Sequence, residues 1–396
     1  MTYNQYFLGE AEKIHGDVVA LRRHFHKFPE ISRNEYKTAE KIEEELKKLG
    51  LTPRRVGETG VYAEIHGEGE GEKTIVLRAD TDALAVTEEH ECEYKSQNEG
   101  VMHACGHDAH TASLLGAARL LSENKNLFGG TVRLHFQQAE EIGYGARVFL
   151  DAGLVDGADR TFGIHTASKI DAGKVSLVAG PNNASVDWFR ICVTGKSAHV
   201  STPHLGVDAV YIASQIVVSA QALITRRTSP MDNVLIGIGK MTAGTAYNIV
   251  ASEAELEGTI RCLTPEVRRQ MKEQLENLAK SIAASFGGEA SLEWKDFTSP
   301  LINDKASTAE AQKVARDLFG EKNVLTAGEP SLGGDDFAEY ILKVPGAYAY
   351  VGSRNPEIPE TCVAMHNCHF DIDEKCLLVG SALYAAYAAA FLRGEV

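Results

Sequence analysis

The sequence predicts an α/β protein in two parts: a three-layer domain with helices on both faces of a mixed sheet, interrupted by an inserted α+β domain. Three observations predict it. From Leu8 to His165, helical apolar spacing alternates with short apolar runs, the rhythm of a sheet covered by helices. From about Asn183 the order becomes strand, helix, strand, strand, helix, strand, a compact α+β unit. From Thr298 the first rhythm returns, and 396 residues exceed the roughly 250–300 at which single cores stop growing.

The elements follow in order. Residues 8 to 28 repeat apolar positions at helical spacing and stop before Pro29. Tyr36 to Leu49 reads as a helix closed by Gly50. VYAEIHG and KTIVLRAD read as strands joined by a charged, glycine-rich turn at Gly67 to Glu72, the second ending in Asp80 and Asp82. A helix over TASLLGAARLLSEN, the strand TVRLHFQ, a helix through Val148 and the strand TFGIH complete this half. The inserted part offers WFRICVTG, a helix at Val207 to Ile224, NVLIGIGKM, EAELEGTIRCL, a helix over Pro265 to Ala284, and ASLEWKDF. The remainder holds GGDDFAEY, the strand AYAYVG and an alanine-rich final helix.

Composition excludes some functions. A net charge of −15 argues against a nucleic-acid surface, which needs a basic stripe. Seven scattered cysteines do not make a disulfide framework and read as reduced thiols. The N-terminal stretch lacks an apolar run suited to a signal peptide, and no later run is read as a membrane span, so a cytoplasmic protein is expected.

Chemistry concentrates in MHACGHDAH, Met102 to His110. Two readings fit it: a ligand pair, Cys105 and His107, projecting to one side of an extended backbone, or a buried helix N-terminus with Asp108 near its cap. Polar residues at other strand ends join it: Asp80 and Asp82, Glu140 and Glu141, then His165, at the edge where open α/β sheets bind ligands. His366 lies before the final helix. A two-metal hydrolytic site needs several such ligands from separate segments and a free carboxylate to take a proton from water. Glu140 and Glu141, adjacent on an extended chain, would point oppositely and divide those tasks. Each of these residues alone has an ordinary reading, a solvated loop or a hydrogen-bonded histidine, and only the joint pattern raises them. His24, His26 and His110 read as structural.

Taken together, RRHFHKFPEIS, LRADTDAL, MHACGHDAHTA, QQAEEIGYGA, FGIH, GKSAHVSTPHLGVDA, AYNIVASEAELEGTIR, GGDDFAEY and MHNCHFDIDE resemble the bimetallic aminoacylase and carboxypeptidase-like amidohydrolases. That family includes hippurate hydrolases and indoleacetyl-amino-acid hydrolases. The resemblance implies Cys105, His107, Glu141, His165 and His366 as ligands of two divalent ions, zinc or manganese first, nickel or cobalt also admissible. It implies Glu140 as general base, His199 as the group polarising the scissile carbonyl, and Asn248 and Arg261 as the grip on a substrate carboxylate. It further implies a catalytic domain at 1–183 and 298–396. A lid at 184–297, a four-stranded antiparallel sheet with two helices, would mediate a homodimer or higher homo-oligomer. The substrate it implies is a small N-acyl amino acid or amino-acid conjugate, with no nucleic acid and no membrane as partner. A dipeptidase or aminobenzoyl-glutamate-type carboxypeptidase is the neighbouring expectation, and a non-catalytic binding homologue the more distant one. The chain departs from the family where proline is common, at Ala85, Gln138, Ser168 and Cys368, and carries Asp335 where glutamate is usual. Asp108 has two expected roles: orienting His107, or approaching a metal itself.

Overall fold

The computed structural model describes residues 2–396, which form two compact units. One holds the chain through Gly180 with Asn303–Glu329 and Asp335–Val396, and the other holds Pro181–Ile302 and Pro330–Gly334.

An eight-stranded mixed sheet organises the first unit. Its order from edge to edge is Arg54–Val56, Gly60–His66, Gly129–Gln137, Gly69–Asp80, Arg160–Asp171, Gly346–Arg354, Val175–Ser176 and Val324–Leu325. The four central strands run parallel, and Gly60–His66 and Arg54–Val56 close one side antiparallel. Buried on both faces, the parallel strands are near-continuous apolar runs rather than alternating ones, as in Ile75, Val76 and Leu77. Successive residues show the two covers: the Gly163 side faces the Phe337 ring of helix Phe337–Lys343, and the Ile164 side chain lies beside Gly380 of helix Lys375–Leu392. Gly67 to Glu72, expected as a turn, already enters the sheet, because Gly69 pairs with Gly129.

Helix Lys375–Leu392 is long and apolar enough to cross a membrane, as is Ala209–Arg227, so the expectation that nothing reaches that length is corrected. The first is a core helix, buried along nearly its whole length against helices Tyr3–Lys27 and His107–Glu123. Small residues permit the close approach: a Cβ on Gly116 would fall 2.4 Å from Ser381 Oγ. Thr2 caps the N-terminal helix through Oγ1, which accepts the Gln5 amide at 3.2 Å.

The second unit is a four-stranded antiparallel sheet in the order Val234–Ala243, Glu253–Cys262, Val186–Thr194, Glu289–Thr298. Phe189, Ile191 and Val193 alternate inward from the strand Val186–Thr194 and pack on helices Ala209–Ala222 and Pro265–Ser285 through Ile212, Ile216 and Leu275. Both helices start where the sequence supplies a cap, Asp208 accepting the Val210 and Tyr211 amides and Thr264 preceding Pro265.

Candidate metal centre

The carboxyl ends of the parallel strands bring the six residues Cys105, His107, Glu140, Glu141, His165 and His366 together in the first unit. Donor atoms of Cys105, His107 and His165 lie within 4.8 Å of one another, as do those of Cys105, Glu141 and His366, and those of His107, Glu140 and Glu141. Cys105 thus belongs to two donor groups.

Local structure explains each placement. Cys105 sits in a turn and His107 opens helix His107–Glu123, so the two are held by a turn-to-helix junction and not by the extended backbone expected. Gly106 makes the junction, with φ +84°, and a Cβ there would meet Thr166 Oγ1 at 2.3 Å. His165 is not at a strand end either: its strand continues to Asp171. Pairing with Gly69–Asp80 stops at Gly163, however, and beyond that point His165 turns toward Cys105, its Nε2 3.5 Å from Sγ. Glu140 and Glu141 lie in a turn that begins at Ala139, with φ +53°, after the strand ends at Gln137. The expected opposition of the two carboxylates does not occur. Glu141 Oε1 is 3.8 Å and Glu140 Oε2 4.0 Å from the same atom, His107 Nε2. Their other partners differ: Glu140 Oε1 accepts the Asp336 amide at 3.3 Å, and Glu141 Oε1 lies 3.6 Å from His366 Nε2. His366, in the left-handed region at φ +67°, donates its amide to the Ala104 carbonyl at 2.8 Å, which fastens its loop to the Cys105 turn.

Hydrogen bonds sort the histidines. His107 Nδ1 and His165 Nδ1 each face a backbone carbonyl, of Asp82 at 2.9 Å and Thr166 at 2.7 Å, so each donates from Nδ1 and keeps a lone pair on Nε2. His110 spends both nitrogens: Nδ1 meets Asp80 at 2.6 Å and Nε2 accepts the Thr166 amide at 2.9 Å. It supports the site and does not supply a donor. His26 likewise bridges Asp108 and Glu88.

The donor set fits metal ions. Buried His107 Nε2 and Glu141 Oε1 have no hydrogen-bond partner among the described residues, a costly arrangement unless a cation fills it. A thiol, imidazoles and a carboxylate suit borderline metals better than magnesium or calcium. Electrostatics agree. Burial, reinforced by Glu141, pushes the Cys105 thiol well up, and burial with Asp335, Glu141 and Asp336 raises the Glu140 carboxyl. Burial also lifts Glu141, to about 7, against the pull of His107. Crowded carboxylates of this kind call for a positive charge between them.

Two residues not assigned from sequence hold the site. Asp82 accepts the Glu140 amide on Oδ1 and the Glu141 amide on Oδ2, both at 3.1 Å, and Ser32 Oγ at 2.6 Å. Burial would raise its pKa, but His107, Ser32 and the Glu141 amide outweigh that and hold it low. Glu35 accepts the Ala139 amide at 2.9 Å and the Thr59 hydroxyl at 2.7 Å, fixing the turn ahead of Glu140. The spacing of Asp80 and Asp82 at a strand end was the available signal for the first. Asp108 is held from the other side: its Oδ2 accepts Arg22 Nε at 2.8 Å and meets His26 Nδ1 at 2.7 Å. Asp335, short of the usual glutamate, accepts the Tyr348 hydroxyl and the Phe337 amide.

His199, Asn248 and Arg261 belong to the second unit. His199 Nδ1 accepts from the Ser201 amide and hydroxyl, at 3.2 and 2.7 Å, so its proton is on Nε2. Its two-residue strand pairs with Ile249–Val250, and the Val200 amide donates to the Asn248 carbonyl at 3.1 Å. Arg261 lies half-buried on the strand Glu253–Cys262.

A covered mixed sheet whose strand ends carry thiol, imidazole and carboxylate donors around a spare carboxylate defines a metal-dependent hydrolase. The chain belongs to peptidase family M20/M25/M40, whose model matches residues 76–390. It is 38% identical to an N-acetyl-L-cysteine deacetylase of Bacillus subtilis, over 94% of this chain and 87% of that one. It is 37% identical to thermostable carboxypeptidase 1 of Saccharolobus solfataricus, over 96% and 97%. Among solved structures, a dinuclear metal-binding peptidase of the M20 family from Bacillus subtilis superposes with a TM-score of 0.85 at 34% identity, covering 96% of this chain and 99% of the other.

Proposed function

We propose that this member of the family hydrolyses the amide bond of N-acyl amino acids or related amino-acid conjugates, releasing a carboxylic acid and an amino acid. The observation that carries the reading is Glu140: once Cys105, His107, Glu141, His165 and His366 are taken as ligands of two ions, it is the carboxylate left over beside them. Two ions held there would supply Lewis acidity for the carbonyl and lower the pKa of water. Zinc or manganese suits the donors first, with nickel or cobalt also compatible.

Glu140 takes the proton of the attacking water and returns it to the leaving amine. The Asp336 amide on Oε1 holds the carboxylate in place for both transfers. His199, with its proton on Nε2, serves as donor to the carbonyl oxygen as charge develops there. Arg261 forks onto the α-carboxylate of the substrate, with Asn248 as a second polar contact. Helix Ala209–Ala222 exposes Val210, Tyr211 and Val218, an apolar stripe suited to a homodimer through the lid.

The carboxypeptidase relative supports a second reading, in which the acyl group is itself a peptide. A panel of N-acyl amino acids and short peptides, assayed with metal-loaded protein, separates the two. Turnover of short-chain N-acyl amino acids above peptides is expected. Turnover of peptides alone would transfer the protein to the second reading. A best substrate unaffected by loss of its α-carboxylate would remove the roles of Arg261 and Asn248.

A further inference from the structure

Three donor groups of different chemistry meet on the surface of the first unit, on the loop at Glu89 and on the turn just after His366, at residues the hydrolytic reading does not use. Glu89 Oε2 lies 3.4 Å from His369 Nε2, and a carboxylate oxygen of Glu89, the Cys368 sulfur and a ring nitrogen of His369 all fall within 4.8 Å of one another. We propose that Glu89, Cys368 and His369 form a third divalent-cation site, for zinc or a metal of similar softness, separate from the buried donor cluster.

The loops are already fastened to each other by main-chain bonds. The amides of Glu89 and His90 both donate to the Cys368 carbonyl, at 2.9 and 3.3 Å. On the other loop, the His369 amide donates to Asn367 Oδ1 at 2.9 Å. Fixing three side chains therefore demands little further ordering when a cation arrives, the main obstacle to binding at most surface clusters. Glu89 engages both partners, pairing with His369 and accepting the Cys368 thiol, so one carboxylate gathers sulfur and imidazole into the same small volume.

Sulfur, imidazole nitrogen and carboxylate oxygen are the tetrahedral ligand types of zinc, and the thiol disfavours calcium and magnesium. Glu89 and His369 are exposed and Cys368 is partly buried, which leaves the fourth position to solvent. On binding, the Cys368 thiol gives its proton to solvent and its sulfur joins the cation. Occupancy of the site would tie the turn that carries His366 more firmly to the loop at Glu89.

Holoenzyme dialysed to equilibrium against zinc and analysed for metal content tests the proposal, with Cys368→Ser and His369→Ala compared under the same conditions. Wild type should retain one equivalent more than either variant. Iodoacetamide labelling of wild type, read peptide by peptide, gives the second measurement: zinc should slow modification of Cys368 and leave exposed Cys362 unchanged. Equal metal content in the three proteins, or Cys368 labelling indifferent to zinc, would overturn the site.

Discussion

The main-chain carbonyl of Asp82 faces His107 Nδ1 at 2.9 Å, while the side chain of the same aspartate holds the Glu140 and Glu141 amides. One residue therefore sets the histidine tautomer and positions both glutamates. Replacing Asp82 with alanine keeps the carbonyl and removes the carboxylate, which frees the glutamate turn and takes away a charge 3.3 Å from His107 Nδ1. Metal affinity should fall by about 10–100-fold, the usual loss when a ligand's outer support is removed. Competition titration against a chelator reads this, and wild-type affinity in Asp82→Ala would show that Glu35 and the backbone hold the turn unaided.

Glu140→Gln tests the division of labour between the adjacent glutamates. The amide cannot take a proton from water, yet it preserves size and an acceptor for the Asp336 amide. Turnover should drop by about 10² or more with metal content unchanged. Loss of metal together with activity would make Glu140 a ligand and leave the base to be found elsewhere.

Residue chemistry made the candidate donors legible in the sequence only as a joint pattern of thiol, imidazole and carboxylate, and the structure brings those side chains together. What the sequence concealed was which neighbour each donor faces. His107 and Asp108 adjoin in the chain, but they stand in the first turn of a helix, where successive residues point in different directions. Asp108 accordingly turns to Arg22 and His26, and the partner of His107 comes from the Asp82 strand end. The same limit applied to Glu140 and Glu141. An extended backbone would have opposed them, and the turn that opens with the positive φ of Ala139, held by Glu35 and Asp82, brings both toward His107. The alternation of strands and helices carried the sheet and the inserted domain, because burial on one or two faces leaves its period in the sequence.

Cys105→Ala distinguishes a ligand from a nucleophile. Cys105 belongs to two of the donor groups, so its loss should lower the content of both ions, read by elemental analysis. Chelator-treated wild type should be inactive and recover on addition of zinc or manganese. Activity that survives chelation and disappears on thiol alkylation would instead assign Cys105 the attack on the carbonyl.

The Arg22 cluster predicts an acid limb in stability. Arg22 Nη2 donates to Asp371 Oδ1 at 2.7 Å, and the Tyr94 hydroxyl to Oδ2 at 2.8 Å. Burial alone would raise the Asp371 pKa, but Arg22, His26 and Tyr94 outweigh it and hold the carboxyl below its ordinary value. A depressed carboxyl stabilises the fold fully above its unfolded pKa, about 3.9, and that stability is lost as pH falls through the lower folded value. Asp371→Ala leaves buried Arg22 short of one partner and should cost about 3–5 kcal/mol near pH 7. The gap to wild type should narrow progressively below about pH 4, where the carboxylate of the unfolded chain takes up its proton while the folded one, held lower by Arg22, still resists. Urea unfolding of chelator-treated protein at several pH values measures it without interference from metal release. A deficit of constant size from pH 7 down to pH 3 would mean that Asp371 acts through packing and not through its charge.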